Sequence, residues 1–364
     1  MTLMFRVLLV TQPTDGGVFA HVTALGTGFT ERGHDVLVAG PLNGGMGVPS
    51  ERLELVRAIS PRTDAGAVAG LGRLLRRWRP DIVHAHSSKA GAVARLARAA
   101  HPRVPLVYTP HGYAFNGWFE SESERSRYRA VERALAPLAT TVLCVCEAER
   151  RLAESVGSRR TAVVYNGVPA AGPMPAHPAL KELRERGPVV GVLSLLRPGK
   201  GLETLIDAAP ALLAERPGVS IAIAGEGPDR SALEQRARAL GVGEAVVFLG
   251  LVEGPGPLLA GVDVFVNPSW AESFPLSTLE AMQAALPVVI TDVGGAAEAI
   301  VEGESGLLVP ARDAGALARA LAGLVGDSER AQAMGAAARE RVQERFAVSR
   351  MIDETLAVYA RTSD

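Results

Sequence analysis

Four charged side chains stand in predicted turns whose chemistry suits a phosphorylated, hydroxyl-rich ligand. Arg197 and Lys200 bracket a Pro-Gly turn that leads into a predicted helix. Free N–H groups at a helix start, together with two cations, make a site suited to a diphosphate. The chain has only two other lysines, Lys89 and Lys181, and this scarcity favours a specific role for Lys200 over that of a solvated loop charge.

The two carboxylates are Glu272, in a predicted loop, and Glu280, about one turn into the helix that follows. Glu280 faces the ligand side of the sheet if Leu279 and Met282 face the core. Because a carboxylate has two acceptor oxygens, one glutamate can hold the hydroxyls of a hexose and the other those of a ribose. The backbone amides of residues 273–276 lie at the helix start, where they can hold phosphate or sugar oxygens. The alternative is a pair of charges favoured only by solvation and the helix dipole.

Turns in the first half carry weaker signals. Gly16 and Gly17 follow the first predicted strand and let the backbone approach a ligand closely. His111 stands beside a glycine after a later strand, which favours a hydrogen bond to substrate over simple packing. His86 and Lys89 follow the preceding strand, and we predict that they meet a phosphate.

Predicted strands and helices alternate along both halves of the chain, and these elements must position the turns. Short apolar runs predict strands over residues 5–11, 35–39, 81–85, 106–109, 141–145, 161–165, 189–194, 219–224, 245–249, 262–267, 287–290 and 306–309. Helical periodicity predicts helices over residues 18–32, 65–78, 89–100, 202–215, 230–240, 277–284 and 314–324. This alternation predicts an α/β fold with parallel sheets covered on both faces. Two such sheets facing each other would share a cleft lined by the turns after their strands, and residues 170–178, rich in Pro, Ala and Gly, are the predicted linker.

Composition narrows the class of protein. A chain of 364 residues is long enough for two α/β domains, and its low aromatic content of 5% suits cores of Val, Leu and Ala. No apolar run is long enough to span a bilayer, and residues 1–11 resemble a buried strand more than a signal peptide. Cys144 and Cys146 are the only cysteines, and we expect neither a disulfide between them nor a zinc site, which fits a reducing cytosol.

Charge is divided unevenly along the chain. Residues 1–175 hold 21 lysines and arginines against 14 acidic residues, a net of +7, and the remainder holds 17 against 25, a net of −8. A basic half suggests an anionic partner or surface on that side. The alternative, chance clustering of solvated arginines, remains equally open at this level.

Taken together, these motifs resemble family 4 glycosyltransferases, which have the GT-B fold of two Rossmann-like domains facing each other across a cleft. The resemblance runs nearly from end to end. It rests on Gly16 and Gly17 with His21, Arg32 to Val36, Asp81 to His86, His111 with Gly112, Asn166 to Val168, Arg197 with Lys200 and Gly201, Gly225 to Pro228, and Glu272 with Glu280. The glutamate motif with its arginine and lysine is the specific part.

The resemblance implies three segments and a set of site residues. Residues 1–172 would form the acceptor domain, residues 173–345 the nucleotide-sugar donor domain, and residues 346–364 a helix returning to the first domain. Arg197 and Lys200 would hold the diphosphate, Glu272 the transferred sugar and Glu280 the ribose. The other implied donor contacts are Gly16, Gly17, Ser273, Phe274 and Leu276, and the predicted catalytic residues are His111, Glu272, Arg197 and Lys200.

The implied activity is that of a retaining hexosyltransferase that uses a nucleoside-diphosphate sugar, most commonly uridine-linked in this family. The segments around His86 and His111 resemble members that extend lipid-linked glycans in polysaccharide assembly. The acceptor would therefore be a glycan or lipid-linked glycan, with His86 and Lys89 as its contacts. We expect a cytoplasmic protein, with peripheral contact of its basic half to the inner membrane face, and no nucleic-acid partner. No Asp-x-Asp cluster lies beside the turns, so we expect no metal and no cofactor.

Three other functions remain open from the sequence. A GT-B sugar-nucleotide 2-epimerase would share the donor site but need no acceptor. A non-catalytic sugar-nucleotide-binding protein would share the binding residues. A dehydrogenase is disfavoured, because Gly225 and Gly227 are followed by Arg230 where the dinucleotide motif needs a third glycine.

Overall fold

The computed structural model describes residues 4–42, 46–117, 121–170, 172 and 174–363. Two compact units emerge from it. The first contains Met1–Gly167 and Val348–Asp364, and the second is Val168–Ala347. We predicted boundaries after residues 172 and 345, and the structure divides the chain after Gly167 and after Ala347.

The first unit is built on a parallel sheet. Its strands, in the part of the chain described, are β1 (Arg6–Thr11), β2 (Asp35–Gly40), β3 (Ser50–Arg52), β4 (Ile82–His86), β5 (Leu106–Thr109), β6 (Thr141–Cys144) and β7 (Thr161–Val163). They lie in the order β3-β2-β1-β4-β5-β6-β7. The central strands are buried on both faces, which is why β1 and β4 are continuous apolar runs and do not alternate with polar residues.

Helices cover this sheet. They are α1 (Gly16–Glu31), α2 (Pro61–Trp78), α3 (Ser88–Ala99), α4 (Glu122–Leu135) and α5 (Glu147–Ser155). Proline at the first turn of α2 suits a position whose N–H has no intrahelical partner. The Sγ atom of Cys146 accepts a hydrogen bond from the N–H of Glu149 and so caps α5. Both cysteines are buried and form no disulfide, and Cys146 lies beyond the end of β6 at Cys144.

The second unit repeats the architecture. Its described strands are β8 (Val189–Leu193), β9 (Ser220–Ala224), β10 (Val246–Gly250), β11 (Val264–Asn267), β12 (Val288–Thr291) and β13 (Leu307–Val309), in the order β10-β9-β8-β11-β12-β13. Its described helices are α6 (Pro178–Arg186), α7 (Leu202–Glu215), α8 (Arg230–Ala239), α9 (Gly256–Leu259), α10 (Leu276–Gln283), α11 (Ala296–Ala299), α12 (Ala314–Val325) and α13 (Ser328–Arg345). All strand pairs in both sheets are parallel.

The last helix, α14 (Val348–Ser363), packs within the first unit. Ile352 lies so close to Gly28 of α1 that any larger residue at position 28 would overlap its side chain. At the far end of the helix the Tyr359 hydroxyl is 2.7 Å from Nδ1 of His84 in the core. Helix α14 therefore completes the core under β1 and β4.

Most predicted elements are present, and the misses have physical causes. Helix α7 has the predicted bounds, while β3 is too short and polar to show a strand pattern. Helix α4 was missed because its one residue identified as buried is Glu132, which apolar periodicity cannot reveal. Of the predicted linker, residues 171 and 173 lie outside the described residues, and the N–H of His177 near its end donates to the carbonyl of Pro257 at 2.8 Å within the second unit. None of the described helices is long and apolar enough to cross a bilayer.

Candidate functional site

The strand order of the second unit brings the predicted turns together. The order reverses between β8 and β11, which are neighbours in the sheet although β9 and β10 intervene in the sequence. In open parallel sheets, ligands bind outside the carboxyl ends of the strands at such a reversal. Arg197 and Lys200 follow β8, and Glu272 follows β11, so the topology alone places these turns side by side.

Lys200 and Glu272 form an ion pair across this reversal. Nζ of Lys200 lies 2.8 Å from Oε2 of Glu272, and the two side chains are 20% and 19% exposed. The Ser269 hydroxyl donates to the same oxygen at 3.3 Å, and Oε1 has no hydrogen-bond partner within the described part of the chain. The pair is therefore accessible on one side, with donor and acceptor capacity left for a ligand.

Trp270 ties the two turns together. Its backbone N–H donates to the Gly199 carbonyl at 2.9 Å, and its indole Nε1–H donates to Oγ1 of Thr204 at 2.9 Å. The Arg312 guanidinium lies 4.4 Å from the ring centroid on the outer face. Sequence reasoning missed this arrangement. Trp270 stands inside the predicted motif and its position was a usable signal, but no local pattern points to Arg312 or Thr204.

Gly201 is required where these turns approach most closely. It has a φ of +67°, and a Cβ atom at this position would overlap the carbonyl oxygen of Pro268. We expect Gly201→Ala to weaken nucleotide binding and to destabilise the fold by more than the about 1–2 kcal/mol that a left-handed conformation costs a side chain.

Gly241 supplies the matched control for that prediction. Its φ is +72°, but a Cβ atom there would meet nothing within 4 Å. Gly241→Ala should therefore show only the conformational cost in chemical denaturation, and nucleotide binding should be retained. Equal losses of stability in the two variants would show that the close approach to Pro268 is unimportant.

Glu280 lies on α10 as predicted, with Leu279 and Met282 fully buried on the opposite face. Burial raises the pKa of the Glu280 carboxyl from 4.5 to about 7. A carboxyl group poised near neutrality can be ionised by a ligand that donates hydrogen bonds to it. Perturbation by desolvation at a strand-end site is a common property of functional groups.

The other predicted donor contacts of this unit are Ser273, Phe274 and Leu276 around the start of α10, and Arg197 after β8. The carbonyl of Ser273 accepts from the N–H of Gly295 at 2.9 Å, which fixes the loop before the helix. Phe274 is buried, and its ring lies 5.3 Å from that of Phe346. Leu276 opens α10. Arg197 is partly exposed in the turn after β8, where its carbonyl accepts from the N–H of Lys200 at 3.3 Å.

The first unit has its own strand-order reversal, between β1 and β4. Gly16 and Gly17 open α1 directly after β1, and His86 ends β4. His111 follows β5 with a φ of +53°, and Nδ1 of His86 lies 3.0 Å from its Nε2. The N–H of Gly112 donates to the Glu149 carboxylate at 2.6 Å, which holds this unusual turn in place.

The predicted acceptor pair has surroundings different from those expected. His86 is fully buried, and burial holds its pKa well below its usual range, so its ring is neutral and carries no charge toward a phosphate. Nζ of Lys89 lies 2.7 and 2.8 Å from the two carboxylate oxygens of Asp64. The predicted contact of His86 and Lys89 with a phosphate stays a prediction, with a neutral imidazole and an ion-paired ammonium as the groups that would make it.

Comparison with known proteins agrees with this geometry. Residues 16–167 match a family model described as a glycosyl transferase 4-like domain, and residues 187–327 match one described as glycosyl transferases group 1. A glycogen synthase of Mycobacterium tuberculosis is 30% identical over 94% of this chain and 91% of its own. A phosphatidyl-myo-inositol mannosyltransferase of Mycolicibacterium smegmatis is 29% identical over 96% and 91%. The structure of Anabaena HepE in complex with UDP-glucose matches with a TM-score of 0.82 at 24% identity, covering 98% of this chain and 100% of that one.

Proposed function

Because this chain belongs to the family 4 glycosyltransferases, with their GT-B fold, we propose that it transfers a hexose from a uridine diphosphate sugar to an acceptor hydroxyl with retention at the anomeric carbon. The chain is a glycosyltransferase that uses a nucleotide sugar. The observation that carries the finer proposal is the ion pair of Lys200 and Glu272 at the strand-order reversal of the second unit.

The donor diphosphate would lie against the turn after β8. Helix α7 begins there at Leu202, after Gly201, which has no side chain to cap the first N–H groups. These amides and the two cations Arg197 and Lys200 supply positive potential where the diphosphate gains charge as the glycosidic bond breaks. The diphosphate of the donor would replace Glu272 as the ion-pair partner of the Lys200 ammonium. Glu272 would then accept hydrogen bonds from sugar hydroxyls.

Two routes lead to the proposed retention, double displacement and a same-face reaction. Double displacement needs a carboxylate nucleophile held just below the anomeric carbon. In the donor complex proposed here, Glu272 and Glu280 hold hydroxyls of the sugar and the ribose, so neither is assigned that position. We therefore propose a same-face reaction, in which an oxygen of the departing diphosphate receives the acceptor proton, and in which Arg197 and Lys200 supply the positive charge without a metal ion.

The choice of uridine is supported by the UDP-glucose bound in the Anabaena protein, whose fold this chain shares. The acceptor proposal, a glycan or lipid-linked glycan, rests on the names of relatives, one a glycogen synthase and another a phosphatidyl-myo-inositol mannosyltransferase. The surplus of basic residues in the first half is consistent with an anionic acceptor met at the inner membrane face.

The direct test is a thermal-shift screen against nucleoside diphosphates and their sugars, followed by a transfer assay with the nucleotide sugar that stabilises most. A ligand that binds only the folded state raises the melting temperature according to its affinity. We expect uridine diphosphate sugars to stabilise most and the sugar to appear on an acceptor in the α configuration if it is α in the donor. Epimerised sugar nucleotide formed without any acceptor would contradict the proposal.

Glu280 should make donor binding depend on pH. Because the pKa of Glu280 is about 7, roughly a tenth of the Glu280 carboxyl groups are ionised at pH 6 and roughly nine-tenths at pH 8. If the carboxylate accepts hydrogen bonds from the ribose, affinity for a nucleotide sugar should rise about tenfold across this interval. Calorimetry with the intact nucleotide sugar measures this cleanly, because its phosphates do not titrate near neutrality. A Glu280→Gln variant should bind with little change between pH 6 and 8.

The raised pKa of Glu280 should also make the free energy of unfolding depend on pH. That free energy should fall as pH rises, whereas donor affinity should rise. The folded state holds the Glu280 proton more tightly than the unfolded state, whose carboxyl has a pKa near 4.5. The free energy of unfolding should therefore fall as pH rises from about 4.5 to about 7, relative to Glu280→Gln. Chemical denaturation of both proteins across this range gives the comparison, and a wild type that gains stability with rising pH relative to the variant would contradict a raised pKa.

A further inference from the structure

Three histidines of the first unit gather their ring nitrogens at one point. They are His21 on α1, His86 at the end of β4 and His111 after β5, and one nitrogen from each lies within 4.8 Å of the others. His21 is 4% exposed and His86 is fully buried, while His111 is partly exposed. They come from three separate segments that meet only because β1, β4 and β5 are adjacent in the sheet.

Hydrogen bonding within the protein leaves these rings incompletely satisfied. His86 uses Nδ1 for its contact with His111, but its Nε2 has no partner in the described structure. Neither ring nitrogen of His21 meets the geometry of a hydrogen bond, although the Asn166 side chain approaches the ring and partly offsets the effect of burial on its pKa. A buried polar group without a hydrogen-bond partner destabilises the fold, so several in one place require an explanation.

The neighbouring His84 shows that this is not a general property of the region. Its ring centroid lies 4.0 Å from that of His86, and it is equally buried. Its Nδ1 contacts the Tyr359 hydroxyl at 2.7 Å and its Nε2 contacts Oγ1 of Thr109 at 2.8 Å. The fold therefore satisfies both ring nitrogens of His84, whereas nitrogens of the adjacent His21 and His86 lack hydrogen-bond partners within the described residues.

We propose that His21, His86 and His111 form a site for one divalent transition-metal ion of the zinc class, bound through three imidazole nitrogens with a fourth position open toward the exposed side of His111. Imidazole ligands select zinc, cobalt, nickel and copper ions and not magnesium or calcium, which prefer oxygen. Metal–nitrogen bonds of about 2.0–2.1 Å in tetrahedral geometry place ligand atoms about 3.4 Å apart. The Nδ1 atom of His86 and the Nε2 atom of His111, at 3.0 Å, are already near that separation. The proton of their hydrogen bond would move to the other nitrogen of its ring when both atoms bind the ion, and rotation of the side chains must bring the His21 nitrogen closer.

All three proposed ligands belong to the first unit, whereas the donor turns, where we expect no metal, belong to the second. An ion here would occupy the ring of His111, so metal binding and the substrate contact predicted for that ring exclude each other. The proposal concerns binding alone, and it stands or falls independently of whether the chain transfers a hexose.

The test is a titration of chelator-stripped full-length protein with Co²⁺, monitored by visible absorption, and with Zn²⁺, monitored by equilibrium dialysis and elemental analysis. We expect one ion per chain and the intense ligand-field bands of four-coordinate cobalt. His21→Gln and His111→Gln should each abolish the bands and the bound zinc. His177→Gln, which alters a partly exposed histidine of the second unit, should bind as the wild type does.

Folding is controlled by circular dichroism and the thermal transition of each variant. Two variants are used because His21 is buried in the core and its replacement can destabilise the unit, whereas His111 is partly exposed. A wild-type protein that binds no cobalt overturns the proposal. So do folded His21→Gln and His111→Gln proteins that retain the wild-type spectrum and stoichiometry.

Discussion

Lys200→Ala is expected to lower the rate of sugar transfer at saturating donor by about 100- to 1000-fold, the usual effect of removing one group that stabilises transition-state charge. The ammonium stands in the turn after β8 beside the start of α7, where the departing diphosphate would gain charge. Because this stabilisation is strongest in the transition state, kcat should fall more than donor affinity. Steady-state kinetics and calorimetric binding of the nucleotide sugar separate the two quantities.

Lys181, the other lysine of the second unit, supplies the matched control for Lys200→Ala. Lys181 is an exposed residue of α6, and Lys181→Ala removes the same charge from the same unit without touching the turns. It should transfer sugar at the wild-type rate. A Lys200→Ala protein that melts as a single transition and transfers sugar normally would eliminate the proposed donor site.

Glu272→Gln is expected to lower kcat/KM for the nucleotide sugar roughly 10- to 100-fold. This is the loss that corresponds to a charge-assisted hydrogen bond worth about 1.5–3 kcal/mol. Glutamine keeps the shape of the side chain but is a weaker acceptor for sugar hydroxyls, and it cannot balance the charge of Lys200 at 2.8 Å. Glu304→Gln, an exposed position in the same unit, is the matched control and should have no effect.

The double variant Lys200→Ala with Glu272→Gln distinguishes a functional pair from a structural one. If the two side chains serve only to neutralise each other, removing both should restore stability and transfer relative to either single variant. If each contacts the donor, the double variant should transfer sugar no faster than Lys200→Ala. Kinetics and denaturation of the four proteins complete the cycle, and recovery of transfer in the double variant would argue against direct donor contacts.

Many of the strands and helices could be predicted from the sequence. The strands that carry the donor turns, β8 and β11, and the helices that follow them, α7 and α10, were predicted within about two residues of their bounds. The inward orientation of Leu279 and Met282 was also confirmed. These features were accessible because apolar periodicity and glycine or proline in turns are properties of short segments.

Helix α4 is an element that apolar periodicity could not predict. Its inward-facing residue is Glu132, which accepts hydrogen bonds from Arg95 at 2.8 Å and from the Tyr108 hydroxyl at 3.0 Å. A buried glutamate paired with two distant residues looks like a solvated charge in the sequence. Ser121, which caps the helix, was the available local signal.

The sequence by itself determined the order of strands and helices, the family resemblance and the residue types placed in each turn. The tertiary structure decided which turns lie next to one another and which of their titratable side chains are charged. Lys200 and Glu272 are 72 residues apart and pair only because β8 and β11 are adjacent. The raised pKa of Glu280 and the neutral histidines around His111 arise from desolvation by segments distant in the chain. Desolvation depends on the whole packed environment of a group, and no local pattern encodes it.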